Sequence, residues 1–326
     1  MIKFFRRDDL LIAFLFCGFC LLTGLVNPAF FSVGTVFDLV RTAIVPGIFA
    51  LGVLVVLVSG GIDVSFTAIA ILAMYASVKL VLVLGVGGNI IFVFVIAGLI
   101  GLCLGLINGF FIGTMRLPTL IVTLGTLSIY RAFLLTFIGA SFISNLPMGM
   151  INFAKTNVLK VETTDGSIYT LPAAFLVFLG LAILIWFLLS RTVLGRSIFA
   201  LGGSTVSAER IGIDVPKIQY FIYGLVGAIS GLAGVVHAAM TRIGNPFDLV
   251  GLELSVIAAV VLGGARISGG HGSVFGTLLG VALVSVMNNT LIMWGIPSTW
   301  QNVVIGLLIL IGTGVPALRQ RRKALS

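Results

Sequence analysis

VPGIFALGVLVVLV at residues 45–58 and FTAIAILAMY at 66–75 are separated by SGGIDVS, 59–65. Each apolar run, with its flanks, is long enough for a membrane helix, which takes about 20 residues to cross a hydrocarbon core. Two glycines, a carboxylate and two serines stand where one helix gives way to the next. That interruption raises the question of what a polar break does in so apolar a chain.

The rest of the chain has the same character. Its 326 residues are 59% hydrophobic and only 9% charged, with a mean hydropathy of +1.25, far from the charge content of a soluble domain. The apolar stretches are long and glycine-bearing, without the alternation of an outer-membrane barrel. The fold class is therefore all-α and polytopic. Hydropathy predicts about ten spans, near 10–26, 42–58, 63–84, 90–113, 118–138, 172–190, 218–241, 253–265, 273–294 and 297–316. MIKFFRRDD opens like a secretory signal, but no small-residue cleavage site follows 10–26, so the first helix is read as uncleaved.

With the N-terminus in the cytoplasm, the basic residues divide unequally. Lys3, Arg6, Arg7, Arg116, Arg191, Arg196, Arg210, Lys217, Arg266, Arg319, Arg321, Arg322 and Lys323 fall inside. Arg41, Lys79, Arg131, Lys155, Lys160 and Arg242 are left for the outer side or the spans. The bias follows the positive-inside rule and puts both termini in the cytoplasm. The formal net charge of +9 is thus a topology signal and implies no nucleic acid partner. Residues 1–326 read as one transmembrane domain, with an external segment at 139–172 and the longest internal loop at 190–219. VLKVETTDGSIYTL alternates about Asp165-Gly166 like a small hairpin.

Soluble-type chemistry is hard to assemble. His237 and His271 have no histidine or cysteine at metal-ligand spacing, so no metal site is expected. CGFC at 17–20 has redox-motif spacing but lies in a span, where packing is the better reading. The glycines of 269–276 lack the strand and βαβ context of a dinucleotide loop and read as a helix junction. No Gly-Lys pair exists, so no phosphate loop does either, and ATP, if used, is bound by another chain. The sequon at Asn288 falls within a span and is not expected to carry glycan. Gly101, Gly105, Gly109 and Gly113, Gly227 with Gly231, and Gly276 with Gly280 form small-residue stripes that let helices approach closely in lipid. Gly pairs at 60–61 and 269–270 mark two helix junctions that echo one another weakly in sequence.

Polar residues in spans are costly and tend to face a bundle interior or a watery cavity. Asp63, the only acid between Asp38 and Glu162, Ser65, Asn108, Thr119, Thr123, Thr126, Asn288 and Asn289 are the candidates for a translocation path. Thr119, Thr123 and Thr126 share one helical face. Interhelical hydrogen bonding is the bland account of each hydroxyl; a lining for a neutral, hydroxyl-rich solute is the functional one. Gly60 and Gly61 free the backbone for a break, and Asp63 with Ser65 can cap the helix that follows.

Four stretches together carry a resemblance: VLVSGGIDVSFTA (56–68), LPTLIVTLGTLSIYRAFLL (117–135), LGRSIFALGGSTVSAERIGIDVPKIQYFIYGLVGAISGLAGVV (194–236) and LELSVIAAVVLGGARISGGHGSVFGTLLG (252–280). In order and spacing they resemble the permease subunit of bacterial ABC importers of the ribose, xylose, galactose, rhamnose and furanosyl-autoinducer class. The resemblance implies an inner-membrane, non-catalytic transport subunit for a monosaccharide or related polyol. It also implies a second permease copy or a sister permease, a cytoplasmic ATPase subunit binding ATP and Mg, and a periplasmic sugar-binding protein. It places an ATPase-docking segment at Ser207, Ala208, Glu209, Arg210, Ile211, Gly212 and Ile213, with Ser207 as a helix cap and Ile211 and Ile213 as an exposed apolar knob. Glu162 and Asp165, and Arg242 and Asp248, are the candidate contacts of the binding protein. A self-sufficient secondary transporter would need midplane coupling carboxylates, and an intramembrane enzyme a nucleophile with a base; neither is evident, His237 having no partner visible in sequence.

Overall fold

The computed structural model describes residues 7–163 and 166–295, together with 297, 300, 303, 306 and 307. Most of the span expected at 297–316, and the candidate Asp165, therefore lie outside the described residues. The chain forms α1 (Arg7–Val26), α2 (Val33–Val58), α3 (Phe66–Leu84), α4 (Ile90–Gly109), α5 (Thr119–Phe133) and α6 (Met148–Lys155). A hairpin of β1 (Asn157–Glu162) and β2 (Ile168–Pro172) follows. Then come α7 (Ala174–Arg191), α8 (Val193–Gly203), α9 (Thr205–Arg210), α10 (Val215–Thr241), α11 (Leu252–Leu262) and α12 (Val274–Met293). Wide helical turns at Phe110–Thr114 and Leu134–Ile138 prolong α4 and α5. Among the described residues seven helices are long and apolar enough to cross a membrane. The molecule is thus a multi-pass helical membrane protein.

The antiparallel hairpin, with Lys160 opposite Thr170 and Glu162 opposite Ile168, is the exception to an all-helical reading. It stands where the alternating stretch predicted it, and Tyr169 fastens it to the start of α2 beside Phe37 and under Gly34.

Several boundaries move from the hydropathy estimate for reasons of capping. Ser32 accepts the Thr35 N–H and starts α2 nine residues early, and Asp214 accepts the Lys217 N–H and starts α10 at Val215. α3 begins at Phe66 and not at 63, because residues 61–64 have no regular structure. The Phe66 ring packs on Phe49 with centroids 5.1 Å apart. Since Phe49 lies roughly 13 Å back along α2 from its end at 1.5 Å per residue, the break climbs back into the bundle beside α2.

α10 is the central column, packed on α2, α3 and α4. Its seam with α4 is backbone against backbone. A Cβ at Gly101 would lie 2.1 Å from the Gly227 carbonyl oxygen, one at Gly105 2.1 Å from that of Tyr223, and one at Gly113 3.1 Å from that of Pro216. α11 meets α12 in the same way, through Gly280 against the Ala259 carbonyl. Such stripes replace the hydrophobic effect, which lipid does not supply between helices.

Gly105→Ala should therefore cost on the order of 1–3 kcal/mol through overpacking, read as a lower unfolding midpoint of the detergent-purified protein. Gly125→Ala, with nothing within 4 Å of the new methyl group, should leave the midpoint unchanged or raise it.

Candidate functional site

Non-helical backbone at membrane depth survives only when every N–H and C=O finds a partner. At the break, Gly60 takes φ +84° to leave α2, and Gly61 N–H turns back to the Val56 carbonyl at 3.1 Å. Ile62 is held at both backbone atoms by the first turns of α5: its N–H donates to Thr119 Oγ1 at 3.1 Å, and its carbonyl accepts from Thr123 Oγ1 at 3.2 Å. These two hydroxyls take over the work of missing helix bonds.

Asp63 follows, buried, with Oδ1 accepting from both the Ser65 N–H and the Ser65 hydroxyl at 2.7 Å. Asn108 of α4 donates through Nδ2 to Ser65 Oγ at 2.8 Å, while its own Oδ1 is buried without a partner among the described residues. The carboxyl group thus sits just ahead of α3, bonded to both donors of Ser65, and the cap expected of Asp63 with Ser65 is not made: Ser65 itself is the N-cap residue and its side chain accepts from no N–H of the helix. The Tyr223 hydroxyl rises beneath Gly61, where a Cβ would stand only 2.7 Å from it.

Of the path candidates, Asp63, Ser65, Asn108, Thr119 and Thr123 come together in this one cluster. Thr126 lies a turn further along α5, buried, with its hydroxyl returned to the Val122 and Thr123 carbonyls of its own helix. Asn288 and Asn289 lie elsewhere. They line a cavity of about 180 Å³ between α2, α11 and α12, walled also by Thr42, Pro46 and Ser285. Asn289 reaches Thr42 Oγ1 at 3.4 Å and the Ser285 carbonyl at 2.9 Å.

The two glycine junctions converge. The Gly270 N–H donates to the Val58 carbonyl at 2.9 Å, and a Cβ at Gly269 would lie 2.7 Å from Gly60 Cα. Gly202, near the end of α8, completes the contact, since a Cβ there would fall 1.9 Å from the Val58 carbonyl oxygen. Three segments therefore touch backbone to backbone.

From that junction the chain runs directly into the 204–213 segment. Its cap is Ser204, which accepts the Ser207 N–H at 3.2 Å, and not Ser207 as the sequence suggested. Ala208 is buried, Ile211 is 74% exposed at the tip, and Gly212 turns the chain at φ +86°. Ile213 is half-buried against the core, so the exposed knob is Ile211 without Ile213. Arg210 is exposed, while Glu209 pairs with Arg116 at 3.1 Å, both well exposed, tying the segment to the loop before α5. The hydrogen bonds from Lys217, side chain first and then backbone N–H, hold the exposed Asp214 carboxyl below its ordinary range.

At the opposite end of the bundle, Glu162 is exposed on β1 and Arg242 ends α10 in the left-handed region at φ +58°. Asp248 is already engaged, with Oδ2 3.1 Å from His237 Nε2 and Oδ1 accepting from Asn245. His237, unpartnered in the sequence reading, thus has a carboxylate partner. A second pairing was also missed: Arg131 of α5 and Thr67 of α3 both donate to Oε1 of Glu253 in the first turn of α11. The signal was an arginine inside an apolar span, which demands a counter-charge; only the fold says that the counter-charge is Glu253.

Thr119→Val keeps shape but strands the Ile62 N–H, and should cost about 1–3 kcal/mol. Thr126→Val, which removes only bonds within its own helix, should cost well under half as much. Thermal unfolding of the two purified variants compares them.

Residues 35–312 match the family described as branched-chain amino acid transport system / permease component. The autoinducer 2 import system permease protein LsrC of Yersinia pseudotuberculosis serotype O:3 (strain YPIII) is 29% identical over 317 residues, covering 95% of this chain and 85% of that protein. The ribose import permease protein RbsC of Bacillus subtilis (strain 168) is 32% identical over 293 residues, covering 89% and 87%. The RbsC of Haemophilus influenzae (strain ATCC 51907 / DSM 11121 / KW20 / Rd) is 30% identical over 295 residues, with 89% and 87% covered. No solved structure matches the chain.

Proposed function

We propose, since this chain belongs to the family of branched-chain amino acid transport system permease components, that it is the membrane subunit of an ATP-driven importer of a monosaccharide or related polyol. The ribose and autoinducer 2 import permeases among its relatives support a sugar-like solute. In this reading it sits in a bacterial inner membrane with both termini cytoplasmic, and the hairpin and the 242–251 loop face the periplasm. Its partners are an ATPase that binds ATP and Mg, a periplasmic sugar-binding protein touching Glu162, Asp165 and Arg242, and a second permease, identical or sister. It makes and breaks no covalent bond itself.

The observation that carries this reading is the root of α9. A short capped helix holds out an apolar tip, Ile211, and is anchored through Gly202 on the backbone of Val58 at the break. A tip of that kind suits a cleft on a soluble partner. Its displacement by ATP binding and hydrolysis would reach the break at 59–65 directly. Asp63, Ser65, Asn108, Thr119, Thr123 and Thr126 border the path there, Asp63 serving first to hold Ser65 just ahead of α3. The 180 Å³ cavity at Asn288 and Asn289 is lined mostly by apolar side chains, among them Val256, Val281 and Val284, with the two amides at its wall.

Ile211→Asp should leave the permease folded and strip the ATPase subunit from it. Tagged wild-type protein and variant are purified in mild detergent, their neighbours identified by mass spectrometry, and sugar-stimulated ATP hydrolysis is measured. Absence of any ATPase with the wild type would overturn the importer reading.

One observation favours a secondary transporter instead: Asp63 is a buried acid at a broken helix, where such carriers place coupling ions. A non-hydrolysable ATP analogue separates the two, arresting uptake by the importer and leaving an ion-driven carrier untouched.

A further inference from the structure

We propose that Arg131, Glu253 and Thr67 form a recognition site for the hydroxyl groups of the transported solute. The proposal rests on the importer reading above and names residues that neither the helix break nor the Asn288 cavity includes.

The first observation is where Arg131 stands. On α5 the positions 124, 128 and 131 follow helical spacing and make one stripe, which Leu135 continues in the wide turn beyond. Leu124, Ser128 and Leu135 on it are exposed, and the Arg131 side chain remains 28% exposed despite its ion pair. A guanidinium left open on the outer stripe of an apolar helix does not face hydrocarbon, because a charge there costs several kcal/mol. The stripe therefore borders a polar space. Thr123 and Thr126 lie on the adjoining buried face of the same helix.

The second observation is the bonding pattern. Glu253, whose side chain is 10% exposed, takes both Thr67 and Arg131 on a single oxygen, Oε1. Arg131 uses only Nη2 for this, and its buried Nε has no acceptor among the described residues. The fork of five donors is thus mostly unused. A planar guanidinium beside a carboxylate is suited to a polyol: adjacent hydroxyls accept from the N–H groups and donate to the carboxylate. The pair is neutral as a unit and can receive a neutral solute without a net change of charge.

The third is position. Thr67 lies in the first turn of α3, directly beyond Asp63 and Ser65, so the site is continuous with the break that α8 touches. Movement at the break shifts Thr67 and with it one of the two bonds that hold Glu253.

The test uses the permease reconstituted in proteoliposomes with its ATPase and binding protein. Uptake of radiolabelled pentoses and hexoses, D-ribose among them, is screened with the wild type; if none is carried, the sugar-importer reading itself fails. For a carried sugar, uptake per ATP is compared with that of its deoxy analogues. Arg131→Lys keeps the charge but loses the fork, and Glu253→Gln keeps the shape but loses the charge. Both should assemble with the ATPase and the binding protein as the wild type does, yet carry sugar at least about tenfold less well per ATP. The wild type's preference for the sugar over one deoxy analogue should vanish in Arg131→Lys. Unchanged uptake and unchanged preference would overturn the proposal. So would loss of assembly in both conservative variants, which would make the pair a brace for α11 or a contact between permease copies. The swap of Arg131→Glu with Glu253→Arg adds a further check: transport at the wild-type level would mark a brace, whereas assembly without transport supports recognition.

Discussion

Hydrocarbon offers no hydrogen bonds, so a membrane helix can be interrupted only where protein groups take the place of the missing ones. That constraint organises the centre of this molecule. The break at 61–64 releases backbone groups at Ile62 that Thr119 and Thr123 satisfy, and Val58, left open at the end of α2, is satisfied by Gly270. Asp63 does the same for the Ser65 N–H just ahead of α3, and Asn108 holds the Ser65 hydroxyl in place. Four separate segments of the chain carry residues whose type is explained by one interruption. Without the break, hydroxyls at 119 and 123 would be ordinary helix positions.

The glycines at 60, 202 and 269 follow from the same demand. Carbonyl and amide can meet across segments only if no side chain intervenes, and a Cβ at Gly202 or Gly269 would collide with backbone atoms under 3 Å away. Contacts of this kind have no flexible side chain to absorb a displacement. In the importer reading, a shift of α8 and α9 is therefore passed to Val58 and Gly60 almost undiminished. The Arg116 and Glu209 pair, open to water on both sides, contributes little energy and is better seen as fixing the angle of the segment.

The helical, membrane-spanning character was legible because lipid imposes a long apolar run on each span, and the hairpin because alternation about Asp165-Gly166 is a local signal. Glycine stripes were legible for the same local reason. What stayed hidden was pairing across distance. Ser204 and Ser207 are both good caps by type, and only the chain path at Gly203 makes Ser204 the one used. Ile213 and Ile211 look alike in sequence, yet one turns onto the core. Arg131 and Glu253 are 122 residues apart, and nothing local joins them. The level of α3 was hidden too, since hydropathy counts residues and the break gains height without helix.

The placement of acids bears on what drives transport. A carrier coupled to ions needs a carboxylate able to take up and release its ion. Asp63 is held by both donors of Ser65, Glu253 by Arg131 and Thr67, and Asp248 by His237 and Asn245. Each of the three has its partners within the chain, and releasing any one would break a buried or half-buried hydrogen bond. In the importer reading, energy supplied from outside the membrane has no such obstacle: it would enter at Ile211, pass through Gly202, and reach Ile62, whose backbone hydrogen bonds are made by the Thr119 and Thr123 hydroxyls, neutral groups that can exchange partners without leaving a charge uncovered.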